Sequence, residues 1–190
     1  MGRVKIGISF FILCAVLIIV DSGWVLLTFA AAAAVHELGH LLVLRAHAKV
    51  TGVLLTAAGV SMEVSSGGGY AEELTSAMAG PIASFGFSLI TAILWKKTWA
   101  LSWASLILGA FNLLPALPLD GGRALYALTA AMRGPERARA VTRFSTIITA
   151  ALLFVPGILL FWRTGGNFTL LAASCYLALR CALEKNGDLL

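Results

Sequence analysis

His36-Glu37-Leu38-Gly39-His40 stands inside an unbroken apolar run from Trp24 to Leu44. Placing three titratable side chains in hydrocarbon costs roughly a few kcal/mol each on translocon-type scales. A chain that keeps them there is expected to use them. On a helix, histidines at i and i+4 share one face and can aim imidazole nitrogens at a single metal ion, with the adjacent glutamate as a general base. The competing reading is a helix whose polar face packs on other polar groups without metal. The pattern points to a zinc hydrolase with its site inside the membrane.

Catalytic zinc takes three protein ligands and keeps one position for water. His47, Glu63 and Asp120 compete for the third place. His47 lies beyond the expected membrane boundary, between Arg45 and Lys49, and reads as a solvated interfacial residue. Glu63 falls in a segment with no supporting motif. Asp120 follows a proline-broken apolar stretch and is the only acidic residue between Glu73 and Glu136, which favours it. Its plainer reading is a helix N-cap for Gly121 to Met132. Two neutral imidazoles and one carboxylate leave zinc net positive, which brings the pKa of bound water to about 7. Glu37 would take that water's proton during attack on a peptide carbonyl and pass it to the leaving amine. Asn112 is a candidate donor to the substrate backbone or oxyanion, with capping or inter-helix bonding an equal alternative.

Six apolar stretches must carry these groups: 6–20, 24–44, 72–95, 98–117, 146–162 and 168–183. Each approaches the ~20 residues of a spanning helix, the first and fifth being short. Arg3 and Lys5 before the first give it the look of a signal peptide, but no small-x-small cleavage site follows, so it reads as a span. With the N-terminus inside, cytoplasmic segments hold Arg3, Lys5, Arg45, Lys49, Arg123, Arg133, Arg137, Arg139, Arg143, Arg180 and Lys185. The opposite side holds only Lys96, Lys97 and Arg163 of the 14 basic residues. That bias puts both termini in the cytoplasm and the histidine turn toward the cytoplasmic half of its span.

Three segments break the helical pattern. Lys49 to Val64, with Ala57-Ala58-Gly59 at its turn, reads as a β-hairpin beside the membrane, whose edge could receive an unwound substrate strand. Gly67-Gly68-Gly69 reads as a hinge or an ordinary flexible loop. In Asn112-Leu113-Leu114-Pro115-Ala116-Leu117-Pro118-Leu119-Asp120-Gly121-Gly122 two prolines stop a regular helix and the glycine pair permits close backbone approach. Irregular backbone at membrane depth is tolerated where it lines a cavity or is buried in protein.

Composition agrees. Of 190 residues 59% are hydrophobic and only 12% charged, with a mean hydropathy of +0.92. A soluble domain of this size needs more polar surface. The net charge of +5 is scattered over short loops, a topology signal and not a nucleic-acid patch. Arg133 to Arg143 reads as an orienting loop or helix touching anionic lipid. Cys14, Cys175 and Cys181 lack CxxC spacing or a neighbouring histidine, so neither a disulfide framework nor a thiolate site is expected.

HELGH in a span, Ala79-Gly80-Pro81 in the third span and the Asn112–Arg123 run NLLPALPLDGGR together resemble the site-2 proteases, intramembrane zinc metalloproteases that cut transmembrane segments of regulatory proteins. The resemblance runs from Trp24 to Arg123, over half the chain. It implies His36, His40 and Asp120 as ligands of one Zn2+, Glu37 as catalytic base, Asn112 as a substrate-positioning residue, and a membrane-associated hairpin at 49–64. The family often has Asn three residues after its AGP. Here that residue is Ser84, which implies a weakened or rearranged contact. No PDZ insertion or C-terminal CBS pair is recognisable, so residues 1–190 read as a single transmembrane metalloprotease domain. The short form most resembles the branch containing the sporulation protease stage IV FB, which processes a pro-sigma factor.

The expectation is an all-α polytopic membrane protein of about six transmembrane helices with a small β-hairpin. Its function would be regulated intramembrane proteolysis as a zinc endopeptidase. Its partners would be a transmembrane or membrane-associated protein substrate and the bilayer, with no nucleic acid and any inhibitory membrane partner unidentified. Its location would be a bacterial cell membrane. A metal transporter or an inactive scaffold is the alternative. A transporter would carry more polar residues along its helices, and a scaffold would have lost Glu37 or a ligand.

Overall fold

A computed structural model describes residues 3–7, 24–47, 50–56, 59–64, 68–94, 99–166 and 168–183. Most of the first apolar stretch, the turn residues Ala57 and Ala58, Gly67, and Lys96 and Lys97 lie outside the described residues. Strand β1 (Arg3–Ile6) precedes helix α1 (Trp24–His47), strands β2 (Val50–Thr56) and β3 (Gly59–Val64), and helices α2 (Tyr70–Leu94) and α3 (Trp99–Asn112). Helices α4 (Asp120–Arg133), α5 (Pro135–Thr164) and α6 (Thr169–Leu183) follow. The described chain is therefore mostly helical, with one three-stranded sheet in the order β1-β2-β3. β2 pairs antiparallel with β3, from Val50 opposite Val64 to Thr56 opposite Gly59, with a register shift between Val50 and Gly52. β1 pairs parallel with β2, Arg3 opposite Gly52 through Ile6 opposite Leu55. Arg3 and Lys5 thus sit in a strand, where the sequence had suggested the charged flank of a span. Four residues are too few to show a β period against the apolar run that follows.

Among the described residues, three helices are long and apolar enough to cross a membrane, with candidate spans Leu27–Ala46, Tyr70–Leu94 and Pro135–Thr164. The chain is an integral membrane protein. Side chains partition accordingly: Leu27, Leu42, Leu89, Ile93, Phe144, Leu152 and Leu159 face outward. Apart from Tyr126, Leu177 and Cys181, the buried apolar residues described are alanines. Buried beside them are Ser76, Ser84, Ser88, Thr91, Ser102, Ser105, Thr142, Thr146 and Thr149. In lipid, large apolar side chains gain nothing by facing inward. Small residues let helices approach, and hydroxyls bond across the seams. Trp24, Trp99 and Trp162, each exposed at a helix end, suit the interfacial belt.

The chain forms two compact units, Met1–Ala110 and Phe111–Leu190. In the first, α2 packs on α1 and on α3. Ser88 donates to the Ser102 carbonyl at 2.8 Å, and the Thr91 and Ser102 hydroxyls lie 2.8 Å apart. A Cβ on Gly109 would come within 3.0 Å of Ser84 and Phe85 side-chain atoms, so α3 passes α2 there at backbone range.

In the second unit α3 ends at Asn112, earlier than the apolar run to 117 suggested, because the prolines at 115 and 118 cannot donate to a helical ladder. The 113–119 loop, with a cis Leu117–Pro118 peptide, is bonded to α5. Ser145 donates to the Pro115 carbonyl, and Thr146 Oγ1 accepts from the Leu117 amide at 3.0 Å while donating to the Thr142 carbonyl. Ala116, Ala150 and Leu177 form a core that Leu119 and Leu153 extend. Helix α5 runs 30 residues, well beyond the 146–162 stretch, so Arg137, Arg139 and Arg143 lie on its first turns.

Candidate metal centre

Helix α1 carries both histidines one turn apart, and α2 supplies the groups that hold them. Both rings are buried, with His36 4% and His40 6% exposed. His40 Nδ1 lies 2.7 Å from the Ser76 carbonyl oxygen. A carbonyl only accepts, so a neutral His40 carries its proton on Nδ1 and directs a lone pair from Nε2. His36 Nδ1 lies 2.9 Å from Ser84 Oγ, and the two Nε2 atoms are 3.2 Å apart. The rings meet edge to face, at an interplanar angle of 79°.

The close approach of α1 and α2 depends on glycine. A Cβ on Gly39 would lie 2.6 Å from the Ala79 carbonyl oxygen, and one on Gly80 would lie 2.2 Å from His40 Nε2. Pro81 follows at once and offers no amide to the Ala77 carbonyl. The helical ladder is thus interrupted beside the turn from which Ser76 accepts His40. Ser76, Gly80 and Ser84, spaced one turn apart, form one stripe of α2 facing the histidine stripe of α1.

This pair fits zinc. At a Zn–N distance of about 2.0–2.1 Å, a tetrahedral angle puts two ligand nitrogens about 3.3 Å apart. The Nε2 separation of 3.2 Å matches. Anchoring of each Nδ1 by a serine hydroxyl or a carbonyl is the usual way a ligating imidazole is fixed in ring orientation and tautomer. Glu37, half-buried, follows His36 on α1.

In the second unit, Asn112 closes α3 and Asp120 opens α4, on either side of the proline-broken loop. Asp120 is 6% exposed and Asn112 half-buried. Asp120 is not the cap that the plainer reading allowed. Leu119 holds the N-cap position with no side-chain bond, and Asp120 is the first helical residue. Its charge there faces the positive end of the helix dipole. Arg123, one turn on, approaches Asp120 Oδ1 at 3.5 Å. Gly121 and Gly122 bring this turn against the loop. Cβ atoms there would lie 2.1 Å from the Leu113 carbonyl oxygen and 2.4 Å from the Ala116 carbonyl carbon.

The Ser76 carbonyl is a group the sequence did not reveal. Ser84, at the position where the family often has Asn, has its hydroxyl at 2.9 Å from His36 Nδ1. The side chains of His47 and Glu63 lie outside the described residues.

Residues 67–156 match Peptidase family M50. The matched segment takes in Gly80, Ser84, Asn112 and Asp120, while His36 to His40 lie upstream of it. The zinc metalloprotease MJ0392 of Methanocaldococcus jannaschii is 31% identical over 155 residues, which is 74% of this chain and 43% of that protein. The chain thus spans less than half the length of this relative. Among solved structures, the site-2 protease from Methanocaldococcus jannaschii matches with a TM-score of 0.73 at 25% identity, over 98% of this chain and 92% of that one. The family segment, the relative and the solved fold agree: this chain is similar to the site-2 proteases and to peptidase family M50.

Proposed function

We propose that this protein is an intramembrane zinc endopeptidase that hydrolyses peptide bonds in or near transmembrane segments of regulatory membrane proteins. The observation that carries the reading is the histidine pair on α1, its Nδ1 atoms anchored by α2 and its Nε2 atoms at the separation of two zinc ligands. His36, His40 and Asp120 are the proposed ligands, each buried and each offering one donor atom. Zinc, when bound, polarises the scissile carbonyl and brings the pKa of a water to about 7. Glu37 takes the proton of the attacking water on its carboxylate and returns it to the leaving amine nitrogen. Asn112 presents its amide to the substrate backbone or the developing oxyanion.

A transmembrane substrate is helical and its carbonyls are already bonded, so the cut segment must unwind before attack. In the sheet, β2 is flanked on both sides, so β3 (Gly59–Val64) is the hairpin strand with an outer edge to offer. We assign it the substrate strand. About six membrane crossings, cytoplasmic termini, a bacterial cell membrane, one catalytic domain and kinship to the sporulation branch complete the reading.

The test is co-expression of wild type and Glu37→Gln with candidate membrane substrates, with zinc measured in both purified proteins. Fragments from wild type only, at equal zinc content, support the reading. Cleavage by Glu37→Gln refutes the assigned base. Asp120→Asn and His40→Ala should each lose zinc and cleavage together.

A further inference from the structure

Ser84 is fully buried, has no charged neighbour on α2, and places its hydroxyl 2.9 Å from His36 Nδ1. We propose that Ser84 is the positioning residue of the centre. Its oxygen accepts the Nδ1 proton of His36, and so fixes the tautomer that directs a lone pair from Nε2. The proposal rests on the zinc reading above and adds to it how the first ligand is held.

Three observations carry it. First, His40 already has its tautomer set, because the Ser76 carbonyl can only accept. His36 Nδ1 meets the Ser84 hydroxyl at 2.9 Å, and a hydroxyl can donate or accept, so Ser84 takes part in placing the His36 proton. Second, with Nδ1 protonated on both rings the two lone pairs face each other at 3.2 Å, an arrangement that repels unless a cation lies between them. With the proton on His36 Nε2 instead, the two rings hydrogen-bond to each other and the pair is closed to metal. The Ser84 contact therefore chooses between a ligand pair and a self-satisfied pair. Third, Ser84 is enclosed. It is 0% exposed, and α3 passes against it at Gly109, where an added Cβ would come within 3.0 Å of the Ser84 Cβ.

Loss of a group that orients a metal-binding histidine typically costs 10- to 100-fold in metal affinity. The full chain in detergent or nanodiscs, with zinc affinity read by competition against a chromophoric chelator, tests this. Ser84→Ala should weaken zinc 10- to 100-fold. Ser88→Ala, one turn along α2, removes a hydroxyl bonded to Ser102 and should leave zinc affinity unchanged. In the zinc-loaded protein, the His36 Nδ1–H signal of 15N-labelled histidine should be protected from solvent exchange in wild type and should exchange faster in Ser84→Ala. Wild-type affinity with unchanged Nδ1–H protection in Ser84→Ala overturns the proposal, as does an equal loss in Ser88→Ala, which would mark a packing effect. Failure of the zinc reading looks different: wild type would bind no zinc, or His36→Ala would bind it as tightly. Either result also overturns the role given to Ser84.

Discussion

Any side chain at position 80 collides with the second histidine. A Cβ there would lie 2.2 Å from His40 Nε2, well inside van der Waals contact. Gly80→Ala should force the His40 ring off the Ser76 carbonyl and cut zinc occupancy at least tenfold, read by metal analysis of the purified protein. Gly86, on the same helix, has nothing within 4 Å of its Cβ direction. Gly86→Ala should keep full zinc and gain up to about 1 kcal/mol from helix propensity. At this scale the sequence showed what chemistry makes costly: two histidines and a glutamate in an apolar run, and one isolated aspartate after two prolines. Serine carries no such cost in a span. Ser84 gave no signal by itself because its partner is 48 residues away, and only the packing of α2 on α1 joins them.

The elements were legible where their cause is local. Continuous apolar character marked α1 and α2, and the prolines at 115 and 118 marked the break before α4. The start of α5 was not legible, because arginines at 137, 139 and 143 look the same in a loop and in a helix emerging into water. Pro135 at its first turn fixes the start, and Gly165 in the left-handed region fixes its end. The loop depends on α5 in a way composition cannot show. Thr146 Oγ1 is the acceptor for the Leu117 amide, and Thr146 is 1% exposed. Thr146→Val keeps the shape and leaves that amide without its acceptor, at a cost of about 1–3 kcal/mol. Ser145→Ala removes a bond to the exposed Pro115 carbonyl, which water or headgroups can replace. Thermal unfolding in detergent should therefore fall clearly for Thr146→Val and little for Ser145→Ala. Equal losses would assign the loop's anchorage to the wrong residue.

For the whole molecule, the bilayer sets the frame. At 1.5 Å per residue the 30 residues of α5 extend about 45 Å, against a hydrocarbon core of about 30 Å. The surplus has to emerge, and the arginines decide where. Arg137, Arg139 and Arg143 occupy the first turns, while Arg163 alone occupies the last. Cationic side chains prefer the cytoplasmic face by the positive-inside rule, so the start of α5 should lie in the cytoplasm and its end on the far side. In a background with Cys14, Cys175 and Cys181 replaced by serine, single cysteines at the exposed positions 137 and 163 report each end. A membrane-impermeant thiol reagent should label Arg163→Cys in intact cells and Arg137→Cys only after permeabilisation. Labelling of both from outside would refute the crossing, and the reverse pattern would invert the topology.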